Sequence, residues 1–159
     1  MIKIDRRAVT CTILHGDDSC PMPATPLALA ALSPRLTLGQ IPPATKTRLI
    51  LLGTEGGPRP RKTRASPSQV ISVNNAAYVV DCGNGVAIQL VRAGLPLSTV
   101  RHIFVTHHHS DHNADYGNLL PLAWTSGLQN LVNAWGPPPL ARMTSLFFEM
   151  NAYDHSNWC

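Results

Sequence analysis

No stretch of the chain holds the roughly eighteen consecutive apolar side chains that a membrane-crossing helix needs, so a helical span is excluded on length. Nor does any pair among Cys11, Cys20, Cys82 and Cys159 show the two-residue spacing that sets two thiolates on one metal or one redox centre. Their wide separation also speaks against a disulfide framework, and Cys82, following an apolar run, reads as a small buried residue. Charge is modest: 13 basic against 9 acidic residues leave a formal +4. Much of it lies in Arg6-Arg7 and in the run Arg59, Arg61, Lys62, Arg64. A solvated loop accounts for that run, contact with phosphate or another anion is the alternative, and the run does not by itself argue for nucleic acid. No internal repeat is present.

What remains is one domain's worth of chain, 159 residues with enough apolar content to pack a core. The alternation of apolar runs and turn signals starts near Lys46, while residues 1–45 are rich in Pro, Ala, Ser and Thr without helical or strand period. The reading is a low-order leader or extension over 1–45 and a partial domain over 46–159. Lys3, Arg6 and Arg7 resemble a twin-arginine leader and Ala28-Leu29-Ala30 a small-residue cleavage site, which hints at export. The apolar stretch Ala8–Leu14 is cut off by His15-Gly16-Asp17-Asp18, a poor export signal, and without one the chain stays cytoplasmic.

Arg48-Leu49-Ile50-Leu51-Leu52, stopped by Gly53, has the length of a buried strand and opens the fold. The segment from Thr54 to about Pro67 makes a long polar loop. Val70–Val73 and Ala77–Val80 flank Asn74-Asn75 and form a hairpin whose turn uses positive φ. Asp81 ends the second strand, and Asn84 is positioned to cap a helix over Val86–Ala93 with Ile88, Val91 and Leu95 on one face. Val100–Thr106 is a strand covered on both faces. Ala114–Ser126 is a helix presenting Tyr116, Leu119, Leu120 and Ala123, kinked at Pro121, and Leu131–Trp135 is a short strand. Leu140, Met143, Phe147 and Met150 mark a last amphipathic helix. Strands alternating with helices call for an α/β layered domain.

The chemistry concentrates where the strand ending at Thr106 gives out, in His107, His109, Asp111 and His112. In extended chain alternate side chains share a face, so His107 and His109 converge while His108 points away, and a following turn brings Asp111 and His112 round. Imidazoles and a carboxylate suit zinc or another borderline divalent ion. Two such ions would share and acidify a water for attack on a carbonyl, phosphoryl or sulfuryl centre, with Asp111 able to orient it or handle its proton. The bland alternative, a solvent-exposed histidine run with adventitious metal affinity, explains neither the apolar strand before the cluster nor the amphipathic helix after it. His102 lies inside the strand and reads as a hydrogen-bonded structural histidine.

At this motif the sequence resembles the metallo-β-lactamase superfamily, over roughly Thr47 to Asp154. Leu52-Gly53-Thr54-Glu55-Gly56-Gly57-Pro58, Val80-Asp81-Cys82-Gly83 and Thr106-His107-His108-His109-Ser110-Asp111-His112 are similar to the opening of its ribonuclease Z and arylsulfatase-like branch. The resemblance implies the N-terminal half of an αββα sandwich. It places His107 and His109 on a first metal, Asp111 and His112 on a second, and Asp81 in support of the metal loop. An intact family site holds two zinc ions, so one or two are expected here. The family completes that site with a later histidine, a bridging aspartate and a final histidine. Asp115, Asp154 and His155 do not lie in matching contexts, so the chain reads as truncated. Ser110 stands where ribonuclease Z enzymes usually show glycine, which disfavours tRNA 3′ processing.

Three functions follow as expectations. The first is a zinc-dependent hydrolase acting on an ester-type bond, such as a phosphodiester or sulfate ester, and impaired by truncation. The second is a non-catalytic metal-binding remnant. The third is a nucleic-acid-binding module using the 59–64 loop. Half a sandwich also leaves one sheet face open, which exposes apolar surface, lowers stability and allows two copies to pair as a dimer.

Overall fold

The structure, a computed structural model, describes residues 1–4 and 46–152. The leader features from Arg6 to Ala30, three of the four cysteines, Asp154 and His155 lie outside the described residues. The described strands are β1 (Ile2–Ile4), β2 (Thr47–Gly53), β3 (Ser68–Val73), β4 (Ala76–Val80), β5 (Val100–Phe104) and β6 (Val132–Trp135). The helices are α1 (Val86–Arg92), α2 (Ser110–Asn113), α3 (Tyr116–Thr125) and α4 (Leu140–Met150), with a 3₁₀ turn over Leu97–Thr99. They build one sheet in the order β1-β6-β5-β4-β3-β2. β2, β3 and β4 run antiparallel as neighbours, β4–β5 and β5–β6 are parallel, and β1 closes antiparallel on β6.

Local chemistry explains the first half directly. Asn74 and Asn75 take φ of 48° and 67°, a turn that matches the twist of the β3–β4 hairpin. The two parallel pairings need crossovers, and these are α1 with the 3₁₀ turn, then α2 with α3. Every crossover in such a sheet leaves from the carboxyl end of a strand, which is where a site can be assembled from loops.

The helices cover one face only. Val70, Val79, Ile103 and Ala134 point inward to α1, α3 and α4 and are buried. On the other face a register row runs Leu49–Ile71–Tyr78–His102–Asn133 and a second runs Leu51–Gln69–Val80–Phe104–Trp135. Leu49 is 65% and Leu51 62% exposed, so β2 is an edge strand with one open face and not the buried strand its composition implied. β5 differs in the same way: Ile103 and Val105 are buried, whereas His102 and Phe104 lie half-buried on the open side. One α/β leaf of the expected four-layer sandwich is therefore present among the described residues. β1 is a strand where the composition of residues 1–45 suggested none.

Helix positions were legible and two helix faces were not. Ile88 and Val91 are 49% and 54% exposed, and α1 instead buries Val86, Ala87 and Leu90. In α4 the buried line is Leu140, Thr144 and Phe148, with Met150 solvent-facing. Thr144 is admitted to the core because its hydroxyl bonds the Tyr116 hydroxyl at 2.8 Å and donates to the Leu140 carbonyl. α3 presents Tyr116, Leu119, Leu120 and Ala123 to the core as expected, with Pro121 inside the helix. Asn84 does not cap α1. The cap is Gly85 at φ 84°, whose N–H donates instead to the Asp115 carboxylate at 2.6 Å.

Candidate metal centre

The carboxyl ends of β4 and β5 lie side by side, and the loops that leave them carry every residue singled out by the motif. Asp81, first residue after β4, is 3% exposed and sits at φ 58°, a left-handed conformation that aspartate tolerates better than most residues. Its N–H donates to the Phe104 carbonyl at 2.8 Å, which turns its side chain under the β5 loop. There Oδ1 accepts the Thr106 N–H at 2.8 Å, the Thr106 hydroxyl lies 3.0 and 2.9 Å from the two oxygens, and Oδ2 lies 2.8 Å from His112 Nδ1. With both of its oxygens facing donors, this carboxylate acts as an acceptor, so His112 carries its proton on Nδ1. The His112 Nε2 lone pair is thereby presented outward.

The rest of the cluster follows from backbone parity and one helical turn. His107 Nε2 and His109 Nδ1 stand 3.0 Å apart, and the rings of His107 and His112 are 4.1 Å apart centre to centre. α2 begins directly after His109 and brings Asp111 and His112 back over the cluster, with Asp111 Oδ2 3.7 Å from His112 Nε2. The motif's four side chains are thus brought together as two adjoining pairs. His108, between the two ligand candidates, points away as expected. Its Nε2 donates to the Pro137 carbonyl at 2.9 Å and its Nδ1 faces the Asn113 amide at 3.3 Å. His102 also behaves structurally, stacked on Tyr78 at 4.8 Å and accepting the Trp135 indole N–H at 3.3 Å.

Three further residues shape the site and were not legible as functional. Gly57, at φ 85°, donates its N–H to Asp111 Oδ2 at 3.0 Å and ties the β2–β3 loop to the cluster. Gly83 admits no side chain, because a Cβ would run into the Asp111 carbonyl, the Ser66 side chain and the Pro67 carbonyl. Thr106 bridges Asp81 and His107, its hydroxyl 3.0 Å from His107 Nδ1. Cys82 N–H bonds the His112 carbonyl at 2.7 Å and Asp115 N–H bonds the Cys82 carbonyl at 2.9 Å, so the two loops are sewn together by backbone. The Cys82 thiol is fully buried, and burial, followed by the charges of Asp81 and Asp115, pushes its pKa far above the ordinary thiol range. It is a packing residue and not a metal-ready thiolate.

No three His, Cys, Asp or Glu side chains among the described residues converge on a single point as they stand. The donor spacing nevertheless fits a divalent ion. Two nitrogens bound to one tetrahedral zinc at about 2.0 Å lie about 3.3 Å apart. The 3.0 Å and 3.7 Å separations of the two pairs bracket that edge. Neutral imidazoles and a carboxylate on a rigid loop are the donor set of a borderline metal.

The basic run follows Gly57 on the β2–β3 loop. Arg61 Nε pairs with Glu55 at 2.9 Å. Lys62 and Arg64 join Arg92 of α1 around a cavity of about 520 Å³ between the β2–β3 loop and that helix.

Residues 62–128 match the family model described as the metallo-beta-lactamase superfamily. Ribonuclease Z of Mycobacterium sp. (strain KMS) is 40% identical over 93 residues, which are 57% of this chain and 32% of that protein. Ribonuclease Z of Picrophilus torridus is 33% identical over 95 residues, 60% of this chain and 30% of its own length. The chain thus spans about a third of the length of the curated relatives it matches. Among solved structures, the short form of human tRNase Z superposes with a TM-score of 0.60 at 26% identity, covering 65% of this chain and 40% of that one. The metallo-beta-lactamase fold protein YhfI from Bacillus subtilis, at 23% identity and a TM-score of 0.52, shares the fold. Sequence, sheet order and the Asp81-anchored histidine loop therefore agree in a similarity to the metallo-β-lactamase superfamily, and within it to ribonuclease Z.

Proposed function

We propose that the chain acts as a metal-dependent hydrolase of phosphodiester bonds, with zinc as the metal and RNA as the substrate class. His107 and His109 would hold one ion, Asp111 and His112 a second. The observation that carries this reading is the buried Asp81 carboxylate, which spends its lone pairs on Thr106 and His112 and so aims a free imidazole nitrogen at the cluster. A carboxylate behind a histidine is the arrangement that raises ligand basicity and fixes ring orientation. The named activity of the relatives and the Lys62–Arg64–Arg92 cavity favour a phosphodiester over a sulfate ester, since a polyanionic chain gains from cations along its path.

A divalent ion at this focus supplies Lewis-acid polarisation of the phosphoryl group and acidifies water. The chain's own residues supply the geometry. Asp111 uses one lone pair of Oδ2 on the Gly57 N–H and keeps acceptor capacity facing the cluster, where it can orient water and take its proton. Lys62 and Arg64, which form no ion pair with a described carboxylate, hold the substrate backbone.

A second reading, a metal-binding unit without turnover, is favoured by the absence of three convergent ligands among the described residues. Zinc analysis after dialysis and hydrolysis of bis(p-nitrophenyl) phosphate separate the two. Roughly one to two zinc ions per chain with slow, chelator-sensitive hydrolysis supports the enzyme. Zinc without hydrolysis supports the second reading. Unchanged zinc content in His107→Ala with His109→Ala removes the site altogether. Faster cleavage of p-nitrophenyl sulfate than of the phosphodiester overturns the substrate class.

A further inference from the structure

Thr106 stands between the two halves of the site with one proton to give and three atoms of two groups within reach of it. Its hydroxyl oxygen is 3.0 Å from Asp81 Oδ1, 2.9 Å from Asp81 Oδ2 and 3.0 Å from His107 Nδ1. A hydroxyl carries a single hydrogen and two lone pairs. Were that hydrogen directed at His107, the hydroxyl lone pairs would face both carboxylate oxygens at close range with nothing between them. Directed at Asp81, it makes a charge-assisted bond, about twice as strong as a neutral one. The hydroxyl then has only acceptor capacity left for His107, and His107 must bring the proton on Nδ1.

The consequence reaches the metal-facing atom. An imidazole protonated at Nδ1 keeps its lone pair on Nε2, and His107 Nε2 is the atom that faces His109 at 3.0 Å. In the metal-free chain His109 then supplies the hydrogen of that contact from Nδ1, and gives it up when the two nitrogens share an ion. We propose that Thr106 is a positioning residue that fixes the tautomer of His107, so that the one buried carboxylate of Asp81 sets two imidazoles: His112 directly and His107 through this hydroxyl. The assignment extends the metal-site reading above, and its first test needs no metal.

The tautomer is read from nitrogen chemical shifts of His107 in metal-free, ¹⁵N-histidine-labelled protein, with zinc affinity measured separately by competition with a chelating dye. In the parent chain His107 is protonated at Nδ1. Thr106→Val keeps the side-chain shape at an exposed position, releases that preference, and weakens zinc binding by about 10–100-fold. Thr106→Ser restores both the tautomer and the affinity. An Nε2-protonated His107 in the parent, or a Thr106→Val variant with parental tautomer and affinity, overturns the proposal. A parent protonated at Nδ1 that nonetheless retains no zinc removes the metal-site reading and leaves the Thr106 assignment standing.

Discussion

Replacing Asp81 by asparagine tests whether the buried carboxylate controls the site through a proton position and not merely through packing. The side chain is nearly isosteric, and asparagine accepts the φ of 58° at this position, whereas alanine would add backbone strain. The outcome is dictated by which neighbour can adapt. The Thr106 N–H, 2.8 Å from Oδ1, cannot reverse its polarity, so the asparagine carbonyl must face it. The new amide NH₂ then occupies the place of Oδ2, 2.8 Å from His112 Nδ1 and 2.9 Å from the Thr106 hydroxyl. His112 can adapt, by moving its proton to Nε2 and accepting at Nδ1. That move consumes the lone pair aimed at the cluster. Loss of a ligand's carboxylate support costs about 10–100-fold in metal affinity, or about 1.4–2.8 kcal/mol. The folded state loses charge-assisted bonds at Thr106 and His112, a further cost of about 1.5–3 kcal/mol. Zinc competition with a chelating dye and urea unfolding of the metal-free chain read the two effects separately. Parental zinc affinity in Asp81→Asn, in a variant that retains the parental fold, would refute the tautomer argument.

Two other outcomes follow from the fold. The Cys82 thiol is held neutral in the folded chain by burial, with Asp81 and Asp115 adding to the effect, so its folded pKa is raised above the unfolded one. Above about pH 8.5 the unfolded chain sheds this proton and the folded chain does not, which lowers stability with rising pH by up to about 1.4 kcal/mol per unit. Cys82→Ala removes that component, and urea midpoints at pH 8 and pH 10 should therefore converge more closely in the variant than in the parent. The second outcome concerns the open sheet face, where Leu49 and Leu51 stand on an edge strand. Leu49→Lys with Leu51→Lys should lower concentration-dependent light scattering while preserving the circular dichroism spectrum, because edge lysines block both apolar and strand-to-strand association; equal scattering by parent and variant would assign association to another surface.

The amino-acid sequence by itself determined most of the local elements from Thr47 onward and which side chains are candidates for the site. Asn74-Asn75 favoured a hairpin turn, an apolar run ending at Val105 suited a strand, and parity along extended chain already separated His107 and His109 from His108. These are short-range facts, set by steric limits on φ and by side-chain alternation. Tertiary structure decided what depends on distant partners. α1 carries apolar residues around much of its circumference, so periodicity offered two faces and only packing against the sheet chose Val86, Ala87 and Leu90 over Ile88 and Val91. The groups that hold the site come from far along the chain: Asp115 reaches back to the Gly85 N–H, Gly57 meets Asp111 from 54 residues away, and Thr106 meets Asp81 from 25. No local preference encodes such meetings. They arise because two parallel strands must end side by side, which places the β4 carboxylate directly beneath the histidines that leave β5.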